Sequence, residues 1–225
     1  MIATTLAAAL ATATLVAADR EPAKRLDESA AVLSEIMSAP DKGIPADLLG
    51  NAHCLVIVPD LKTAAFVVGG KYGKGYISCR GTTGTGWSAP AAMRIEGGSV
   101  GFQIGGSSTD LIMLVMSERG AEKLLESKFT VGAEGSAAAG PVGRTATAQT
   151  DAQMHADILS WSRSRGLFAG VALEGATLRQ DLDDNSTLYG SPLETRQIVR
   201  GTVRMPSAAR KLIDLLNQYS VHENN

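Results

Sequence analysis

Residues Ala64–Met116, AAFVVGGKYGKGYISCRGTTGTGWSAPAAMRIEGGSVGFQIGGSSTDLIMLVM, decide the fold. Short β-branched and aromatic runs are cut at close intervals by Gly pairs, by Gly-Lys-Gly and by a Trp-Ser-Ala-Pro turn, which is the punctuation of an antiparallel meander. Glycines inside or at the edges of strands mark bulges and corners, so the sheet is expected to curve and to approach a barrel. Just upstream, Cys54–Val58 is a continuous apolar run halted by Pro59, a strand expected to be buried on both faces.

Helical periodicity flanks this block on both sides. Lys24–Met37 places Leu26, Ala30, Leu33 and Met37 on one stripe beside Ile36, with Pro22 suited to a first turn and Pro40 to an end. The stripe reads as core packing, with a membrane-surface helix as the alternative. A short helix is expected over Ala46–Asn51, one capped by Ser117 over Glu118–Ser127, and a last one over Pro206–Tyr219. Thr145–Thr150, Ile158–Ser162 and Leu167–Leu173 read as further strands, and Gln180–Tyr189 as an acidic turn. The fold class is therefore α+β, a curved antiparallel or barrel-like sheet with helices packed at both chain ends.

The first eighteen residues, MIATTLAAALATATLVAA, form an apolar run ending in a small-residue signal-peptidase pattern before Asp19. They read as an export signal ahead of a single domain, 19–225, in a periplasmic or membrane-associated protein. A plain N-terminal helix is the alternative, since no Lys or Arg precedes the run. No internal repeat and no linker divides the 225 residues. With 21 Lys and Arg against 23 Asp and Glu, and 4% aromatics, the chain lacks the basic excess and stacking platforms of a nucleic-acid binder.

Catalytic and metal patterns fail on context. Gly97-Gly-Ser99-Val-Gly101 spells a nucleophile elbow, but a strand-like stretch follows where a helix is needed, so a turn is the better reading and a serine hydrolase using Ser99 the weaker one. Asp181, Asp183 and Asn185 start like a calcium loop, yet Ser186 and Pro192 stand where Gly and Glu are required, which leaves capping or turn formation. Gly70–Gly75 has neither dinucleotide nor phosphate-loop spacing. His53 and Cys54, adjacent on a strand, point to opposite faces. Cys54 reads as a core residue; Cys79 lies on another predicted strand, and in an exported protein the two could pair. Nothing calls for a cofactor or a metal.

Basic residues in or beside Gly-rich turns remain: Lys71, Lys74, Arg80, Arg94, Arg144, Arg163, Arg165 and Arg179. Exposed backbone amides with a nearby guanidinium suit a phosphate or a phospholipid headgroup, and solvated charge on a curved sheet is the competing reading.

An ordered set of segments resembles one family: Ala52–Pro59, Ala65–Gly70, Tyr72–Gly75, Trp87–Pro90, Gly101–Gly105, Asp110–Val115, Ala139–Arg144, Ser162–Gly170, Leu173–Gly175 and Tyr189-Gly190. Over about Ala23 to Arg204 the chain is similar to the SYLF domain, a lipid-binding module also found beside Src-homology-3 and FYVE domains. The resemblance implies a barrel-like antiparallel sheet with packed helices, no catalysis, and binding of anionic phospholipids, phosphoinositides included, at a membrane surface. The eight basic residues are then the candidate headgroup contacts. Eukaryotic members also act on actin, so a protein-interaction scaffold of the actin-regulator kind is the alternative, with no particular protein partner indicated.

Overall fold

The computed structural model describes residues 3–39, 43–81, 86–142, 155–164, 167–171, 173 and 175–220, with side chains from Glu21 onward outside 65–68 and 99–105. Helix α1 (Ala3–Ser38) and the short α2 (Ala46–Asn51) lead into two long strands, β1 (Cys54–Cys79) and β2 (Ala91–Val115). Then follow α3 (Glu118–Leu124), β3 (Lys128–Thr130), β4 (Ala137–Ala139), β5 (Ile158–Ser164), β6 (Leu167–Gly170) and β7 (Thr177–Gln180). The chain closes with α4 (Leu182–Tyr189), α5 (Thr195–Arg200), a 3₁₀ turn at Ser207–Ala209 and α6 (Arg210–Tyr219). This is the expected α+β architecture, with a curled sheet and helices at both ends.

The described strands form one sheet, along an open path β3-β7-β2-β5-β4, with β1 added to β2 and β6 to β5. All pairings between these strands are antiparallel except β4 with β5, which is parallel. What was expected as a meander of short strands is a single two-stranded ribbon, β1 against β2 from Cys54↔Val115 to Ile77↔Ala91. Pro59 does not end the first strand. It precedes Asp60, at φ 55°, where the register shifts between Val58 and Leu61, and the strand continues past the bulge.

Laid straight, 26 residues of strand would span roughly 85 Å. The Cα atoms of Cys54 and Cys79 are instead 3.9 Å apart and their sulfurs are bonded, so the ribbon doubles back on itself. Two glycines permit the closure. A Cβ on Gly75 would fall on the Ile57 carbonyl oxygen, and one on Gly73 would strike the Val58 and Leu61 side chains. The disulfide answers the question that the two cysteines left open in the sequence.

Strand alternation divides the interior into two cores. Leu55, Ile57, Tyr76, Ile112, Leu114 and Trp161 meet Leu26, Ala30, Leu33 and Ile36 of α1 and Leu212, Ile213 and Leu216 of α6 on one side. Cys54, Val56, Val58, Ile77, Met93, Ile95, Leu111 and Met113 face the other side, toward α3, α5, Phe129 and Leu178. Cys54–Val58 is thus buried on both faces, as its unbroken apolar run implies. The stripe expected on α1 is core packing: Leu26, Ala30, Leu33 and Ile36 have no exposed surface. The helix itself runs further toward the N-terminus than its periodicity suggested, with Pro22 inside it.

Ser117 caps α3 by accepting from the Gly120 amide at 2.9 Å, as expected. The stretch Gln180–Tyr189, expected as an acidic turn, is mostly helix α4, and Asp181 takes the capping role expected of this run, accepting from the Asp184 amide at 3.1 Å. The strand expected at Thr145–Thr150 lies outside the described residues. Among the described residues, no helix is long and apolar enough to cross a membrane.

Because the disulfide closes a separation of 25 residues, replacing Cys54 and Cys79 together by Ser should lower stability by about 3 kcal/mol. Urea denaturation of the oxidised parent against the double variant measures this, and equal midpoints would show that the glycine contact alone holds the ribbon closed.

Candidate interaction surface

Antiparallel register turns scattered basic residues into a row. Lys74 of β1 lies opposite Arg94 of β2, Arg94 opposite Arg179 of β7, and Arg179 opposite Lys128 of β3. Directly opposed residues share a face, so four cations cross four neighbouring strands on one side of the sheet. Their neighbours Met93, Ile95, Leu178 and Phe129 point the other way, into the core. A second row runs beside the first: Tyr72, Glu96, Thr177 and Thr130, with the two threonine hydroxyls 3.4 Å apart. Tyr72 is 49% exposed, an unusual position for a large aromatic side chain.

The row has an inner and an outer end. At the inner end, the Lys74 ammonium sits 2.7 Å from the Asp181 carboxylate and 3.0 Å from that of Asp184, which also holds Arg25 of α1 at 2.5 Å. Tyr76 donates to the Pro22 carbonyl at 2.6 Å beside them. Burial opposes the charge on Asp181, but the Lys74 ammonium and the Asp184 amide outweigh it and hold the carboxyl below its usual range. The same contacts raise Lys74 above its usual value against the desolvation that disfavours it. This network ties α1, β1 and α4 together and is structural.

At the outer end the side chains of Arg94 and Arg179 are 37% and 39% exposed. Glu96 bridges them, 2.8 Å from Arg94 and 3.5 Å from Arg179, which relieves the repulsion of two opposed cations. Lys128 is exposed and makes no ion pair among the described residues. Arg94, Arg179 and Lys128 against Glu96 leave this patch with a positive surplus.

The other expected headgroup residues are dispersed. Arg80 covers the end of α2, donating to the carbonyls of Leu49, Gly50 and Ala52 and to that of Ser220 after α6, with Trp87 stacked 4.7 Å from its guanidinium. Arg163 binds Asp110 at 2.5 Å, contacts Glu35 of α1 and lies over the Phe168 ring. Lys71, half-buried, faces Gly97 on the neighbouring strand and carries no ion pair among the described residues. Arg144 and Arg165 lie outside the described residues. The residues missed by sequence reasoning are Glu96, Tyr72 and Lys128. Their positions depend on register between strands far apart in the chain, and only the Lys-Phe-Thr alternation at 128–130 offered a local sign of a strand.

Comparison with known proteins places the chain in a family. The family described as "Ysc84: Las17-binding protein actin regulator" matches residues 96–219, more than half the chain. An SH3 domain-containing protein of Schizosaccharomyces pombe is 40% identical over 177 residues, 77% of this chain and 41% of that protein. The chain belongs to the Ysc84 family, which carries the SYLF domain. Other members include the SH3 domain-containing YSC84-like protein 1 of Rattus norvegicus, 32% identical over 89% of this chain and 58% of its own length. Protein YSC84 of Saccharomyces cerevisiae is 35% identical over 78% of this chain and 38% of its own length. The chain spans about half the length, or less, of these relatives.

The Lys74 network sets an acid limit on this Ysc84-family fold. A depressed carboxylate contributes stability that is complete above the unfolded value near ~3.9 and is lost as pH falls through the folded value. The urea midpoint should therefore be level above about pH 5 and drop below about pH 4, and Asp181→Asn should be less stable at neutral pH with a shallower acid drop. Lys74→Met should cost about 2 kcal/mol by leaving Asp181 without its counter-charge. Neutral substitution of Lys74 with no change in midpoint would place it among free surface charges, where the sequence had put it.

Proposed function

We propose that this chain is a non-catalytic interaction module that docks an acidic protein surface against the open face formed by β1, β2, β7 and β3. The observation that carries the reading is the surplus of Arg94, Arg179 and Lys128 over Glu96 beside the exposed Tyr72. Arg and Tyr are the residue types that supply most binding energy at protein interfaces. The family description, which records Las17 binding and actin regulation, supports a protein partner. A binding role without chemistry is supported by Ser99, whose backbone pairs with Gly69 inside β2 and does not sit on a strand-to-helix turn. The Cys54–Cys79 disulfide supports the exported location that residues 1–18 suggest, because such bonds persist in oxidising compartments.

A second reading, docking to an anionic membrane, is favoured by the doubled-over middle of the ribbon. Residues 63–70 and 98–107 pair with each other, contain no charged side chain, and are bordered by Lys62 and Lys71. Basic residues near an anionic surface contribute about 1 kcal/mol each.

The two readings separate in one set of measurements. Carbodiimide coupling in the native host, followed by mass spectrometry, should join Lys128 to a carboxylate of another protein, and Arg179→Glu with Lys128→Gln should remove the adduct without changing the melting temperature. Pelleting with phosphatidylserine vesicles but not phosphatidylcholine vesicles, lost at raised salt and unaccompanied by any protein adduct, would overturn the protein reading in favour of the membrane.

A further inference from the structure

Away from the sheet face, a cavity of about 470 Å³ opens between the end of α4 and the segment that leads into α6. Leu188, Tyr189, Leu193, Val203, Met205 and Pro206 line it, and Arg204 and Arg210 stand at its edge. Its volume falls within the range of ligand pockets, and its lining mixes apolar side chains with the polar Ser207 and the two arginines. Tyr189 is fixed by donating to the Pro90 carbonyl at 2.6 Å, so its ring is a wall rather than a free donor.

Two further features say what would fill it. Arg204 and Arg210 are both exposed, and neither guanidinium makes an ion pair or hydrogen bond with any described residue. That contrasts with Arg25, Arg80, Arg163, Arg196 and Arg200, each held by a carboxylate or a carbonyl. The backbone of Thr202–Met205 likewise makes no hydrogen bond within the described chain. Burial alternates along it: Thr202 and Arg204 are exposed while Val203 and Met205 turn inward. Met205 packs on both cores, which fixes this segment in place. A held, alternating segment with unpaired backbone groups is a template for strand addition.

We infer that the 202–206 segment and its cavity bind an extended acidic peptide of a partner protein. Backbone pairing with Thr202–Met205 sets the peptide's direction, an apolar side chain enters between Leu188, Leu193 and Met205, and one or two carboxylates meet Arg204 and Arg210. This site is separate from the sheet-face docking surface and does not depend on it.

Selection of a random nonapeptide phage library on the immobilised full chain tests the inference. Enriched sequences should combine a Leu, Met or Phe with Asp or Glu a few positions away. A synthetic peptide from that set, followed by fluorescence polarisation, should bind at least about tenfold more weakly to Arg204→Glu/Arg210→Glu, and the weakening should shrink as salt rises. Leu193→Trp, which fills the cavity, should also abolish binding. Both variants should keep the parent's melting temperature and circular dichroism, which separates a lost site from a lost fold. No enrichment, enrichment without acidic residues, or equal binding to the charge-reversed variant overturns the proposal. Loss of sheet-face cross-links in Lys128→Gln with peptide binding intact leaves this site standing alone.

Discussion

The closure of β1 onto itself is the constraint on which the rest of the structure depends. A straight two-stranded ribbon has two solvent-facing sides and little stability of its own. Folding it over places Gly73 and Gly75 against Ile57, Val58 and Leu61, with Cys54 bonded to Cys79 where the ends meet. β2, carried along by register, then offers its free edge at two separate places. Residues 93–96 take β7, and residues 110–115 take β5. One pair of strands thereby becomes a curled sheet with two distinct cores, one under α1 and α6 and the other under α3 and α5.

Charge follows from the same geometry. The curl brings β7 and the head of α4 to the inner end of the ribbon, so Asp181 and Asp184 reach Lys74, a residue more than 100 positions earlier. Nearly buried carboxylates at that spot would be costly alone, and Lys74 and Arg25 are the counter-charges that make them tolerable. Farther along the row, cover from the helices ends and the pairing becomes incomplete. Arg94 and Arg179 share one Glu96, and Lys128 has no carboxylate partner among the described residues. The gradient from satisfied to unsatisfied cation separates structural charge from charge available to a partner.

This gradient also marks where the sequence was legible. Features whose cause is local were readable from residues a few positions apart: the α1 stripe, the Ser117 cap, the doubly buried Cys54–Val58 run and the Ala46–Asn51 helix. Features whose cause is a meeting of distant segments were not. Glycines at 73 and 75 announced curvature but not a strand folded through half a turn, because the atoms they must clear belong to Ile57 and Leu61. Pro59 looked like a stop, since nothing local shows that the Asp110 carboxylate will accept from the Asp60 amide at 3.0 Å and sustain a bulge. The basic residues were found by type and their surroundings missed: Arg80 proved to be a helix-end cap, Arg163 an ion-pair partner, and Arg94 and Arg179 members of one row with Lys128. The family resemblance, carried by the order of many short segments, survived these local misreadings because it did not depend on any one of them.

The segment at 202–206 shows the same contrast from the opposite side. Backbone polar groups near a core are almost always paired, within the chain or with water. Around it that rule holds closely: Gln197 accepts from the Glu194 amide at 2.9 Å, the Ala209 amide donates to Pro206, and the Asn185 amide group donates to Leu193. A segment anchored by Met205 in both cores is held still without needing ladder bonds for its order, so its amides and carbonyls can face solvent at little cost in stability. Such an edge invites pairing with other chains, which proteins usually discourage with charge. Here the charge is Arg204, placed on the outward side of the alternation with Arg210 one short turn beyond. Two cations on an open edge repel basic and admit acidic strands, so the same side chains that guard the edge against indiscriminate pairing define the one class of peptide able to use it.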